Sequence, residues 1–435
     1  MSFSNLGLSP SLCQTLERLG FTTPTPVQRQ AIPHVLRGTD MVARAQTGTG
    51  KTAAFGLPIV QRLAASARPS RRTPRVLVLV PTRELALQVR ASLASYAAGT
   101  PLRVSTIFGG VSMVNQVRDL RNGTDIVVAT PGRLLDHMTR RTIDLSAIEV
   151  LTLDEADRML DMGFQPALRR IIPALPVKRQ TLLFSATLPD EVQQLCRTLT
   201  HDAARVDVSE GHVVAANVTH HVHPVAQDQK RALLTHVLKG AAGDQALVFC
   251  KTKRGSDRVG EYLEGAGITV AVIHGNKSQG ARSRALSTFK AGRVRVLVAT
   301  DIAARGLDIV QLPLVINYDL PMVPEDYVHR VGRTGRAGCD GRAVSLVSSE
   351  DASLLHDIQK LLPVPIAQVT MNGFAPPSLH QASQTPGGAR TVRNGRPARG
   401  ASSHGPRDRH GRPGSAQGLH RRPRGSGPSR NRART

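Results

Sequence analysis

Along most of the chain, short apolar runs alternate with segments of helical character. That alternation predicts parallel β-sheets flanked by helices, since each crossover helix returns the chain to start the next strand in the same direction. In the first half the predicted strands are Met41–Ala45, Val76–Val80, Val104–Phe108, Asp125–Thr130, Val150–Leu153 and Thr181–Ser185. After Arg205–Val208 the pattern loosens through Ser209–Ala216. It resumes with Val218–Val225, Ala246–Cys250, Thr269–Ile273, Val294–Ala299, Leu314–Tyr318 and Ala343–Val347. Two α/β domains are therefore expected, over residues 1–207 and 218–371, joined by a linker at 208–217. Residues 372–435 are Gly, Pro, Ser and Arg with almost no large apolar side chain. Such a tail cannot bury enough surface to offset ordering and is expected to be disordered.

A chain of 435 residues exceeds one ordinary core, and its 40% apolar content supports globular folding. No run approaches the ~18 apolar residues of a membrane span. Met1–Asn5 has no basic segment leading into an apolar one, so no secretory signal is expected. Cys13, Cys196, Cys250 and Cys339 are scattered, which indicates neither a disulfide framework nor a zinc site and suits a reducing cytoplasm. The formal charge is +25, from 57 basic and 32 acidic residues. From Phe374 onward there are 13 arginines, no lysine and one acid, Asp408. A basic body with a denser basic tail points to a polyanionic partner, with nucleic acid the leading candidate.

Two segments carry chemistry together. Ala45-Gln46-Thr47-Gly48-Thr49-Gly50-Lys51-Thr52 follows an apolar strand and opens a helix-prone run. Glycines there let backbone N–H groups turn toward phosphates, Lys51 supplies a cation, and the Thr52 hydroxyl can bind Mg²⁺. Asp154-Glu155-Ala156-Asp157 ends the strand Val150–Leu153. One carboxylate can hold a metal while the next orients a water. Together they predict a nucleoside-triphosphate hydrolase, although Ala45 stands where the general phosphate-loop pattern has glycine.

With these segments placed, the sequence resembles the DEAD-box family of superfamily 2 ATP-dependent RNA helicases, from about Phe3 to about Leu362. Ala at the first loop position is usual in that family. The resemblance implies two RecA-like domains, ATP and Mg²⁺ as cofactors, and RNA, structured or duplex and largely sequence-independent, as partner. Phe21 through Gln28 resembles the adenine-reading Q motif, in which the Gln28 amide can donate and accept and Phe21 can stack. Pro81-Thr82-Arg83-Glu84-Leu85, Gly109-Gly110 and Thr130-Pro131-Gly132-Arg133 resemble RNA-backbone contacts. Ser185-Ala186-Thr187 resembles the segment coupling hydrolysis to unwinding. In the second half, Phe249 with Lys251-Thr252 resembles the fourth motif, and Gln279 with Arg282 an RNA contact. Thr300-Asp301 and Ala304–Asp308 resemble the fifth motif, with Thr300 facing RNA and Asp308 facing ATP.

The run His329–Arg336 resembles the sixth motif. Arg333 and Arg336, three positions apart, are expected on one helical face as arginine fingers. The implied roles are Lys51 on phosphates, Thr52 and Asp154 on Mg²⁺, Glu155 on the attacking water, and Arg333 and Arg336 on transition-state charge. Within the family, Phe3–Leu8 and Ala53–Pro58 look most like the bacterial RhlE type, as does the short core with a basic tail. Two other readings stay open: an ATP-gated RNA clamp, and a DNA translocase from elsewhere in the superfamily. His220, His221 and His223 lack further ligands at metal-binding spacing and are expected to be structural or solvated. Ribosome assembly and RNA decay are both compatible with such a core, and nothing in the sequence names the RNA or the oligomeric state.

Overall fold

The computed structural model of the protein describes residues 2–46, 48–66, 73–208, 218–304, 307, 309, 311–335, 340–362 and 365–374. Its first sheet holds β1 (Met41–Arg44), β2 (Val76–Leu79), β3 (Val104–Ile107), β4 (Ile126–Ala129), β5 (Val150–Asp154), β6 (Gln180–Ser185) and β7 (Ala204–Asp207). The second holds β8 (Val218–Pro224), β9 (Ala246–Phe249), β10 (Val270–Ile273), β11 (Val296–Ala299), β12 (Leu314–Asn317), β13 (Gly341–Val347) and β14 (Ala367–Gln368). Every pairing between these strands is parallel.

Both sheets are buried on both faces, which is why their strands read as continuous apolar runs. In β2, Val76 and Val78 enter one core while Leu77 and Leu79 enter the other. In β9, Ala246 and Val248 are likewise divided from Leu247 and Phe249. The first sheet runs β3-β4-β2-β5-β6-β1-β7 and the second β10-β11-β9-β12-β13-β8-β14. Counted from its own first strand, the second sheet repeats the order of the first. β8 therefore occupies the place of β1.

Several strands stop one residue short of the apolar run, at Leu79, Ile107 and Ala129, because the chain there leaves the ladder for the predicted motifs. The two-residue strand β14, paired to β8, has no counterpart in the sequence reading. Phe374, expected in the tail, instead packs on the second core, its ring 5.7 Å from that of His236. The expected linker beyond Val208, and the tail beyond Phe374, lie outside the described residues. Among the described residues no helix is long and apolar enough to cross a membrane. Cys13, Cys196 and Cys250 are free thiols, and Cys339 lies outside the described residues.

Candidate active site and nucleic-acid interface

Parallel strands deliver the predicted motifs to the carboxyl edge of each sheet, where strand ends meet helix starts. β1 leads through residues 45–50 into the helix Lys51–Ala65. Gly50 has φ 90°, and a Cβ there would lie 2.3 Å from Gln28 Nε2, so the loop requires glycine. Gln28 is buried, and its amide is already shared. Oε1 accepts from the Thr25 N–H at 3.0 Å, and Nε2 donates to the Gly50 carbonyl at 3.2 Å. The side chain expected to meet adenine thus also ties its segment to the phosphate loop. Phe21 is half-buried, edge-on to Phe3 and Tyr96 at 6.4 and 6.3 Å. Thr49 donates to the Gln46 carbonyl at 2.7 Å within the loop. Gln46 and Thr52 are partly accessible, Gly48 is exposed, and Thr47 lies outside the described residues.

Lys51 opens its helix almost wholly buried, and its Nζ makes no hydrogen bond. Asp154 Oδ1 faces it at 3.9 Å and is also without a hydrogen-bond partner. Two buried charges left unsatisfied carry a large desolvation cost. Burial pushes the Asp154 carboxyl up to about 6, although Lys51 pulls it down. Phosphate oxygens would satisfy Lys51, and a divalent cation would satisfy the Asp154 oxygen that lacks a hydrogen bond, so these residues fit both groups. Glu155 follows at φ 59° and ψ 54°, a left-handed conformation that is strained for a residue with a side chain. That turn breaks the chain sharply between β5 and the short helix Ala156–Asp161.

Asp157 gathers the segment Ser185–Thr187. Its Oδ2 accepts from the Ala186 and Thr187 N–H groups at 3.1 and 3.0 Å and from Thr187 Oγ1 at 3.1 Å. Its own N–H donates to Ser185 Oγ at 3.2 Å. Burial opposes ionisation of this carboxyl, yet Lys51, Arg158 and the Thr187 N–H hold it below the usual range. Ser185 and Thr187, predicted as coupling residues, are therefore joined directly to the acidic motif.

The sixth motif departs from expectation. Its helix, Pro324–Val331, ends at Gly332, and Gly335 at φ 64° rules out helical continuation. Arg333 consequently lies past the helix, buried, with Nη1 donating to the Leu307 carbonyl at 2.7 Å. The expected helical placement therefore fails for Arg333, while Arg336, like Asp308, lies outside the described residues. Arg330 proves to be the organiser of this domain. It holds both Asp301 oxygens at 2.6 Å, donates to Asn317 Oδ1 at 2.9 Å, and lies 4.9 Å over the Phe249 ring. Thr300, beside Asp301, is buried.

At the predicted RNA side, Thr82 caps the helix Arg83–Tyr96, accepting from the Leu85 N–H at 3.3 Å, behind a buried Pro81. The Arg83 guanidinium lies over Gly110, where a Cβ would be only 1.9 Å from Nη1. Thr130 is buried, Pro131 opens the helix Pro131–Thr139 and Gly132 is exposed. Arg133 donates to the Val111 carbonyl at 3.1 Å. Glu84 receives Gln279 Nε2 at 3.0 Å and Arg282 Nη2 at 2.9 Å, joining the two domains. The Arg83 pKa is lowered, first by burial and next by Arg282, with Arg133 adding to the effect against Glu84. Clustered guanidiniums of this kind are suited to a phosphate backbone.

The sequence reading placed Glu84 in an RNA-contact segment but gave no individual role to Asp157, Arg158, Asp326, His329 or Arg330. Glu84 and Asp157 stood inside quoted motifs, but only contacts across the fold reveal what they bind. The histidines of β8 serve other contacts, with His220 Nδ1 3.0 Å from Tyr327 Oη and His223 Nδ1 2.6 Å from the Val369 carbonyl.

The chain matches the family described as DEAD/DEAH box helicase over residues 25–195 and the helicase conserved C-terminal domain over residues 229–338. It is 40% identical over 440 residues to DEAD-box ATP-dependent RNA helicase 14 of Arabidopsis thaliana, covering 100% of this chain and 70% of that protein. It is 40% identical over 381 residues to DEAD-box ATP-dependent RNA helicase CshA of Geobacillus kaustophilus, covering 88% and 80%. The structure of S. cerevisiae Dbp5 bound to RNA and ADP BeF3 matches with a TM-score of 0.76 at 31% identity, covering 85% of this chain and 95% of that one. With two RecA-like sheets, a phosphate loop and the acidic tetrad at one edge, the chain belongs to the DEAD-box family of ATP-dependent RNA helicases.

Proposed function

We propose that ATP hydrolysis in this helicase runs through the buried, mutually unsatisfied Lys51 and Asp154, and this pair is the observation that carries the assignment of roles. Lys51 binds the phosphates, with Gln28 and Phe21 at the adenine and Gln46 through Thr52 around the triphosphate. Asp154 and Thr52 hold Mg²⁺, which when bound would neutralise charge on the phosphate oxygens. Glu155 orients the attacking water. Arg333 and Arg336 come from the second domain to stabilise charge as the phosphoryl group transfers, and Asp308 lies toward the nucleotide. RNA lies across Arg83, Gly110, Thr130–Arg133, Gln279, Arg282 and Thr300. Asp157 relays between the acidic motif and Ser185–Thr187. Because RNA spans both domains, it favours the closed arrangement that completes the ATP site, so the two ligands raise each other's affinity. The likeness to an RNA- and nucleotide-bound relative supports this closed reading. Measuring ATP turnover with RNA, with DNA and with neither tests it. Strong stimulation by RNA alone is expected, and equal rates in all three would overturn it.

Within the family we place the chain nearest the bacterial RhlE type, acting in the cytoplasm on structured RNA with little sequence preference. The motif spellings of its opening and of Ala53–Pro58 support that placement. The arginine-rich segment beyond Phe374 serves as an electrostatic RNA tether. Ribosome assembly and RNA decay are the candidate settings. Crosslinking the protein to cellular RNA and sequencing the fragments discriminates them.

A further inference from the structure

We propose that Arg158 and Asp326 form a latch between the two domains that makes them positioning residues for the coupling of ATP to RNA. Arg158 directly follows Asp157 on the short helix of the acidic motif, and Asp326 lies in the first turn of the helix Pro324–Val331. Nη1 of Arg158 reaches Asp326 Oδ1 at 2.7 Å, with side-chain exposures of only 9% and 10%. Arg158 has a second acidic partner, Asp161 at 3.0 Å, one turn along its own helix and 49% exposed. That pair belongs to the first domain alone and holds the guanidinium in place whichever way the domains sit. The bond to Asp326 exists only when they are closed.

Position makes this pair more than a surface contact. Asp326 precedes His329 by one helical turn, and His329 feels the charges of Asp157, Arg158 and Arg333 together. Seating Asp326 therefore seats the helix that leads into Arg333. At its other end the latch is tethered to Asp157, which holds Thr187. In an open arrangement both groups return to water. The free energy of the bond consequently goes into closure and not into the stability of either domain. A separate pair, Glu84 with Arg282, spans the domains on the RNA side.

The latch rests on the reading of the protein as an ATPase coupled to RNA, and the test separates the two. ATP affinity is measured with and without saturating RNA for the unmodified chain, Asp326→Asn, Arg158→Met and the double variant, alongside melting temperatures. Asp326→Asn is expected to reduce the RNA-induced gain in ATP affinity about tenfold, within the usual range of coupling factors. ATP affinity without RNA and the melting temperature should not change. The double variant should be no worse than the poorer single variant. Unchanged coupling, additive losses, or a melting temperature lowered by several degrees in Asp326→Asn would each overturn the latch. No RNA effect in the unmodified chain would instead overturn the coupling on which it rests.

Discussion

The two domains open their sheets in the same way: a strand, a short turn, then a lysine at the first position of a helix. Lys51 follows β1 and Lys230 follows β8, and these strands hold equivalent places. Both lysines are buried, yet their surroundings are opposite. Lys230 Nζ donates to Asp351 Oδ2 at 2.7 Å and to the Tyr318 carbonyl at 3.3 Å. Lys51 Nζ makes no hydrogen bond among the described residues, with Asp154 at 3.9 Å. The turn before Lys51 contains Gly48 and Gly50 in left-handed conformations, whereas Val225–Gln229 contains no glycine. One fold has thus been used twice. Where the protein supplies a close hydrogen-bonded counter-charge the lysine serves stability, and where it leaves the ammonium without a hydrogen bond the lysine suits the phosphate-binding role proposed for it.

The largest effect should come from breaking the unsatisfied site. Lys51→Ala should abolish turnover and weaken ATP binding with little change in melting temperature, because it removes a cation that lacks a hydrogen bond. Glu155→Gln should abolish turnover equally while leaving ATP and RNA bound. Nucleotide titrations distinguish them, and an equal loss of affinity would overturn the assigned roles. Lys230→Met should do the reverse. It takes the cation from the Asp351 carboxylate, which keeps the Ser348 donors, and should cost roughly 3 kcal/mol, seen as a lowered melting temperature, with ATP affinity of the folded fraction intact. Adding Asp351→Leu should recover much of that loss. Weakened ATP binding in Lys230→Met would erase the contrast between the two sites.

A smaller effect concerns pH. Burial first, and then Arg158, pushes His329 down to about 3 from an ordinary value of 6.5. Above pH 6.5 it is neutral in both folded and unfolded chains and adds no pH dependence. Below 6.5 the unfolded chain takes up a proton that the folded chain refuses. Stability should then fall with pH, by at most about 1.4 kcal/mol per unit from this group. Asp157 and Asp351, whose carboxyls are held low, add their losses only in more acidic solution. Melting curves at pH 7 and pH 5 should show a shallower fall for His329→Gln, and parallel falls would refute the assignment.

The smallest effect is electrostatic. Deleting residues 375–435 removes 13 arginines from the end of the second domain. The slope of log K against log salt should flatten by about 0.7 for each single-strand phosphate no longer neutralised. Turnover at saturating RNA should hold steady. An unchanged slope would mean that the segment does not touch RNA.

Local features were legible in the sequence because the chain encodes them within a few residues. Continuous apolar runs such as Val76–Leu79 announced strands covered on both faces, and Gly48–Thr52 announced a phosphate loop through its own backbone requirements. The end of the helix Pro324–Val331 was written locally too, yet the spacing of the sixth-motif arginines suggested that the helix runs on to Arg333, and Gly335 at φ 64° stops it. What tertiary structure alone decided is which charges find partners. Arg158 and Asp326 stand 168 positions apart, and Lys230 and Asp351 121 apart. Nothing near any of them in the chain marks it as paired. A hydrogen bond or ion pair acts over a few ångströms, so its existence depends on how sheets and domains are brought together. For the same reason the sequence marks Lys51 through its loop but says nothing of Lys230, and only the fold shows that Lys230 is paired while Lys51 has no hydrogen bond.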